Sequence, residues 1–259
     1  MLVLPIIISL INVKGGVGKT MTAINLAGEM AEMGRKVLLI DNDSQSSLTQ
    51  ILNLSHNYTM YDLYDNNKVF FEDCIVEFDK NIFVVPNCID SAILESDLHS
   101  RRMKERILEK KFSIFTNNFD FVIIDNSPFL GLLVQNSLVM SDYYLPIIDN
   151  SPSALQGLNM VDRVIRSLND IGLARNIKLL GILRNRFEKR SIFSRQFTEV
   201  VEEELQSKLF KTVIYDSVKY KEASALHTTI QSYSKKHAHV YKDLYYEMMD
   251  KINIIESTK

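Results

Sequence analysis

Apolar residues in this chain fall into short, nearly unbroken runs, separated by longer stretches with a helical repeat. Val37-Leu38-Leu39-Ile40 and Phe121-Val122-Ile123-Ile124 show no alternation with polar residues. A strand that is apolar at every position is buried on both faces, which requires a parallel sheet covered by helices on either side. The pattern predicts strands at 5–12, 36–41, 81–85, 119–125, 143–148 and 177–183, and helices at 19–33, 100–115, 131–140, 152–171, 191–209 and 235–252. In the first helix Ile24, Ala27, Met30 and Ala31 share one face, and Gly34 follows as a C-terminal cap. Strand–helix alternation of this kind specifies an α/β fold with a doubly wound, mostly parallel sheet flanked by helices. No repeat, low-complexity tract or linker interrupts the sequence, so 1–259 reads as a single domain, with the polar, turn-rich stretch 53–67 as a surface connection.

Composition narrows the partners. The chain is 46% hydrophobic and 24% charged with a formal net charge of −2, so any contact with nucleic acid must come from a local basic patch. Cys74 and Cys88 lie fourteen apart with no histidine at metal spacing, which reads as two buried thiols in a reducing cytosol. The apolar run 2–11 is too short to span a bilayer and lacks a basic flank and a cleavage site. It leads directly into a glycine loop, as a central strand would.

In a doubly wound sheet, ligands bind beyond the carboxyl ends of the strands. Three polar clusters fall at such ends. The first strand is followed by Lys14-Gly15-Gly16-Val17-Gly18-Lys19-Thr20, which takes three of the nine glycines in the chain. A glycine turn opening a helix aims backbone N–H groups and a helix N-terminus at one point, which makes a phosphate site. Lys19 is placed to reach the β- and γ-phosphates of a nucleotide, and the Thr20 hydroxyl to ligate Mg²⁺. The strand 36–41 ends in Asp41-Asn42-Asp43-Ser44-Gln45; Asp41 and Asp43, two apart, share a side of an extended segment. There they suit the ordering of a metal-bound water and of an attacking water. The strand 119–125 ends in Asp125-Asn126-Ser127-Pro128, where Asp125 suits a carboxylate that holds the metal shell. Helix capping is the plainer role open to Asp125, and a solvated loop the plainer one for Asp41 and Asp43.

The loop 14–20 resembles the deviant Walker A motif of the ParA/MinD ATPases, a P-loop NTPase group. Asp41-x-Asp43-x-Gln45 and Asp125-x-x-Pro128 resemble that family's second and third motifs in order and spacing, and later segments are similar to ParA/Soj proteins through most of the chain. Met21, Ser44 and Asn126-Ser127 depart from the usual residues, but none of these departures removes a phosphate, metal or water-positioning group. The resemblance implies an ATPase using ATP and Mg²⁺. In it Gly15, Gly16, Val17, Gly18, Lys19, Thr20 and Met21 line the nucleotide, and Thr20, Asp41 and Asp125 serve the metal. Asp43 positions water, and Lys14 crosses a nucleotide-sandwich homodimer to the partner's phosphates. Asn185 resembles a position that reads adenine.

The C-terminal segment is not basic, unlike the membrane-binding helix of division-site relatives, and the cysteines do not match the electron-transfer iron proteins; a MinD-like membrane-associated ATPase or a noncatalytic nucleotide-switched scaffold is the alternative. Partition ATPases bind nonspecific DNA and respond to a ParB-type partner. Arg184, Arg186, Lys189, Arg190 and Arg195, with Lys219 after a later strand, form the candidate DNA patch. The chain opens on its first strand without length for an operator-binding helix-turn-helix, so the small, Soj-like, cytoplasmic and nucleoid-associated type is expected.

Overall fold

The computed structural model describes residues 4–65, 68–113, 119–174, 177–188 and 192–257. Lys189 and Arg190 therefore lie outside the described residues. Among the described residues nine strands form one sheet: β1 (Ile6–Ile11), β2 (Val37–Asn42), β3 (Val76–Asp79), β4 (Ile82–Val85), β5 (Phe121–Asn126), β6 (Tyr143–Ile148), β7 (Lys178–Leu179), β8 (Ile182–Phe187) and β9 (Leu209–Tyr215). The spatial order is β3-β4-β2-β5-β1-β6-β8-β9, with β7 paired to β6. Only β3, on an edge, runs antiparallel to its neighbour.

The helices are α1 (Lys19–Glu32), α2 (Ser47–Ile51), α3 (Met60–Asp65), α4 (Ser91–Asp97), α5 (Ile107–Ser113), α6 (Leu132–Met140), α7 (Ala154–Asp170), α8 (Ile192–Leu205), α9 (Val218–Ala225), α10 (Ile230–Tyr233) and α11 (Lys235–Ser257). The unbroken apolar runs divide between two cores. Val37 and Leu39 of β2, with Phe121 and Ile123 of β5, pack toward α1 and α11. Leu38, Ile40, Val122 and Ile124 pack on the opposite face with Leu63 of α3, Leu94 of α4, Leu108 of α5 and Leu132 of α6. Period-two alternation of side chains across a two-sided sheet explains why no polar residue interrupts these strands.

Two predicted elements differ. The helix expected over 100–115 is broken: Met103 takes φ 50, and regular α-helix begins only at Ile107. The side-chain amide of Asn136 takes the Lys104 carbonyl (2.7 Å) and the Leu108 N–H (3.1 Å), so backbone groups at this break bond to α6. The strand expected over 177–183 is interrupted at Gly181, where a Cβ would stand 2.6 Å from the Phe210 ring, and then continues to Phe187. That continuation carries Arg184, Asn185 and Arg186 into the sheet.

A polar seam crosses the core beneath the strand ends. Asn126 donates to the Leu10 carbonyl (3.0 Å) and accepts from Asn42 Nδ2 (2.8 Å) and Ser137 Oγ (2.6 Å). Ser137 continues to Ser9, and Ser9 to Ser141. Asn126 thus ties β5 to β1, β2 and α6. Asn126→Ala leaves several buried groups unpaired and is expected to lower the unfolding free energy by about 2–4 kcal/mol, measured by urea denaturation.

Candidate functional site

β2, β5 and β1 are adjacent, so their three terminal clusters meet. Asp41 pairs in register with Asp125, and Leu10 with Asp125 on the other side. The phosphate loop follows β1. Gly16 and Gly18 adopt φ 77 and 89, left-handed values that suit glycine. α1 starts at Lys19 without a side-chain cap at its N-terminus, so its first N–H groups are left for a ligand.

Lys19 is buried, with Nζ 3.5 Å from the Asn12 carbonyl. Burial lowers its pKa, and Asp125 and Asp43 act in the opposite direction. Asp125 is fully enclosed, and neither carboxylate oxygen has a hydrogen bond of normal geometry among the described residues. Burial pushes its carboxyl from near 3.8 up to about 6, against the Thr20 hydroxyl and the Lys19 ammonium, which favour the charged form. Asp41 is pushed up to about 7, by burial and then by the neighbouring Asp125. Its carboxylate accepts from Thr49 N (2.9 Å), Thr49 Oγ1 (2.6 Å) and Asp43 N (3.3 Å). Asp41 therefore anchors α2 and the turn bearing Asp43. Asp43 accepts from Gln45 N (3.0 Å), and its carbonyl is held by Asn87 Nδ2 (3.1 Å).

A cavity of about 710 Å³ opens above this cluster, lined by Gly15, Gly16, Gly18, Lys19, Thr20 and Met21 on one side and by Asp43, Asn185, Arg186, Tyr220 and others around it. An unpaired buried carboxylate beside a threonine hydroxyl fits a hydrated Mg²⁺. Among the described residues no three acidic, histidine or cysteine groups converge as an all-protein metal site. The donor set suits a metal that arrives with nucleotide phosphates.

Other residues have roles that differ from the sequence expectation. Asn185 does not present its amide for base reading: Nδ2 donates to the Val17 carbonyl (2.9 Å) and Oδ1 accepts from Arg186 N (2.9 Å). Arg184 is only 5% exposed, bound to Glu202 (2.5 Å) and to the Phe210 carbonyl (3.3 Å), and so is withdrawn from a DNA surface. Arg186, at φ 58, donates to the Gly16 carbonyl (2.5 Å) and faces the phosphate loop. Arg195 is exposed, whereas Lys219 is half-buried and pairs with Glu222 at 2.7 Å. Lys14 is exposed and pairs with Asp149. Thr49 and Asn87, which hold Asp41 and the Asp43 carbonyl, carry no sequence signal beyond following a strand.

Above about pH 4 the folded chain keeps protons that the unfolded chain has released, on Asp125 up to about pH 6 and on Asp41 up to about pH 7, so raising the pH weakens the nucleotide-free fold. In EDTA without nucleotide, stability to urea is expected to fall on the order of 2–4 kcal/mol from pH 5 to 8. Asp125→Asn is expected to be more stable than wild type at pH 8 and to lose part of this dependence. A flat profile in the wild type contradicts the assignment.

Residues 6–179 match the family described as AAA domain. The sporulation initiation inhibitor protein Soj of Bacillus subtilis is 31% identical over 243 residues, covering 92% of this chain and 96% of Soj. Among solved structures, a putative plasmid partition protein from Borrelia burgdorferi bound to AMPPNP superposes with a TM-score of 0.84 at 23% identity, over 96% of this chain and 100% of that one. Cobyrinic acid a,c-diamide synthase from Mycobacterium smegmatis, with a bound ATP analog and magnesium, gives 0.77 at 26% identity over 86% and 93%. Motifs, sheet order and relatives agree, and the chain belongs to the ParA/Soj family of partition ATPases.

Proposed function

We propose that this protein is a Mg²⁺-dependent ATPase that forms a homodimer around ATP, binds DNA without sequence specificity in that state, and is released when a ParB-type partner stimulates hydrolysis, moving plasmid or chromosome copies apart. The observation that carries this reading is the phosphate loop, with Lys19 and Asp43, lining one cavity while Asp125 lies buried within electrostatic reach of Lys19. Lys19 would bind the β- and γ-phosphates, and Thr20 and Asp125 would hold the metal. Asp43 orients the attacking water, and Asp41 supports it by fixing the turn through Thr49. Mg²⁺, when bound, neutralises charge on the phosphate oxygens. Lys14 is the cation supplied to the partner's site. The nucleotide and magnesium held by the structural relatives support this choice of ligands.

Nonspecific DNA binding needs exposed cations. Arg195 offers one, Lys219 is a candidate once free of Glu222, and Lys221, Lys235 and Lys236 are exposed nearby in sequence. Lys189 and Arg190 remain candidates from sequence alone. Among the described residues no helix is long and apolar enough to cross a membrane. The apolar face of the last helix, α11, is buried: Tyr241, Leu244, Tyr245, Met248 and Ile252 belong to the core. This favours DNA over a lipid surface as the ATP-state partner, in a cytoplasmic, nucleoid-associated protein.

Co-sedimentation with plasmid DNA is expected with ATP and Mg²⁺ and absent with ADP; binding that ignores the nucleotide defeats the switch. Asp43→Ala is expected to keep ATP-dependent DNA binding while losing turnover by about 10²-fold or more, and unchanged turnover contradicts the role of Asp43. Lys219→Ala is expected to weaken DNA binding evenly across sequences and to reduce the salt slope by about 1, read from binding at a series of salt concentrations.

A further inference from the structure

The segment 127–131 joins β5, with its Asp125, to α6, and Ser127, Pro128 and Phe129 line the nucleotide cavity. Gly131 stands at the N-cap of α6, so the helix has no side-chain cap there. The cap comes from another helix. Glu95 of α4 accepts from Leu132 N at Oε2 (2.8 Å) and from Leu133 N at Oε1 (3.1 Å). A carboxylate on two N–H groups at a helix start is held by charge as well as by hydrogen bonds. Gly131 makes room for it, since a Cβ there would stand 2.5 Å from Glu95 Oε1.

The other end of α4 is tied to the turn that bears Asp43. Asn87, shortly before the helix, donates from Nδ2 to the Asp43 carbonyl (3.1 Å). Its backbone N–H donates to Thr49 Oγ1 (2.9 Å), the hydroxyl that in turn donates to Asp41. Asn87 Oδ1 accepts from Ser91 Oγ, and Ser91 lies four residues before Glu95, on the same side of α4. Leu94, between them, is buried in the core. We propose that Glu95 is a positioning residue for ATP hydrolysis: through α4 it ties the segment after Asp125 to the turn bearing Asp43, so that the two walls of the cavity keep one spacing. The proposal rests on the ATPase reading above. Glu95 does not line the nucleotide cavity, so it acts only through the backbone it holds. An attacking water is productive only in line with the phosphoryl group, and a shift of about 1 Å in the groups that place it costs on the order of 10²-fold in rate.

The test is single-turnover ATP hydrolysis in Mg²⁺ with the protein in excess. Glu95→Ala is expected to slow the step about 10- to 100-fold, while AMPPNP affinity, read by calorimetry, changes less than about twofold. Glu95→Gln keeps one acceptor oxygen and is expected to slow it about three- to tenfold, so the idea can be tested even where Glu95→Ala folds poorly. Gly131→Ser on the Glu95→Ala background separates capping from positioning. Gly131 already has the extended backbone of an N-cap (φ −82, ψ −163), and a serine there caps α6 without joining it to α4. The Phe129 ring, which a Cβ at Gly131 would also meet, is exposed and free to turn aside. The double variant is expected to recover the urea midpoint that Glu95→Ala loses, but not the rate. Recovery of the rate together with the midpoint reduces Glu95 to a cap and overturns the proposal. So does a loss of AMPPNP affinity as large as the loss of rate. A wild-type chain without turnover overturns the ATPase reading itself, whereas wild-type turnover that both Glu95 variants leave unchanged overturns only the role of Glu95.

Discussion

The structure depends on charge buried beneath the phosphate loop. Asp41 and Asp125 stand side by side on β2 and β5, both enclosed, with Lys19 as the cation that acts on Asp125. Carboxylates in such a place resist ionisation, and Asp125 has no good hydrogen bond to offset the loss of water. In the proposed reading, a metal ion bound with nucleotide phosphates would favour the charged form of Asp125. The same interaction that weakens the ligand-free fold would then favour the ligand, and binding would stabilise the fold by linkage.

The strands hold the loops around this cluster through side-chain amides. Asn185 reaches from β8 to the Val17 carbonyl, Asn12 steadies Lys14, and Asn87 holds the carbonyl of Asp43. Gly18 has to be glycine for a second reason besides its φ: a Cβ there would stand 2.3 Å from Asn185 Nδ2. Arg186 completes the clamp from a left-handed backbone, a conformation that costs energy in a residue other than glycine and that the Asn185 side chain holds in place. Its guanidinium touches the Gly16 carbonyl on one side and Asp216 (3.4 Å) on the other. The phosphate loop is thus in contact with the segment leading into α9, which carries Lys219 and Lys221. Nucleotide contact and the candidate DNA face meet across one side chain.

Much of this could be read in the chain itself. Unbroken apolar runs specified buried parallel strands, and polar clusters after three of them located the site, because both signals are local. What escaped depends on contacts distant in sequence. Arg184 and Asn185 look like surface residues until the strand extends past Leu183 and turns them toward Glu202 and the phosphate loop. The break at Met103 is bonded to an asparagine on α6, some thirty residues on. The pairing of Lys14 with Asp149 joins positions 135 apart, and no spacing rule announces it.

Mixed-subunit ATP hydrolysis tests the central claim, that a nucleotide site is completed by the loop of a second chain. Lys14→Ala and Asp43→Ala chains are each expected to be inactive alone. In a mixed dimer the Lys14→Ala chain retains Asp43 and receives Lys14 from its partner, so one of the two sites is whole. Equal mixing is expected to restore about a quarter of wild-type turnover, since half of randomly formed dimers are mixed and each has one working site. A mixture no more active than its components would contradict a site shared between chains.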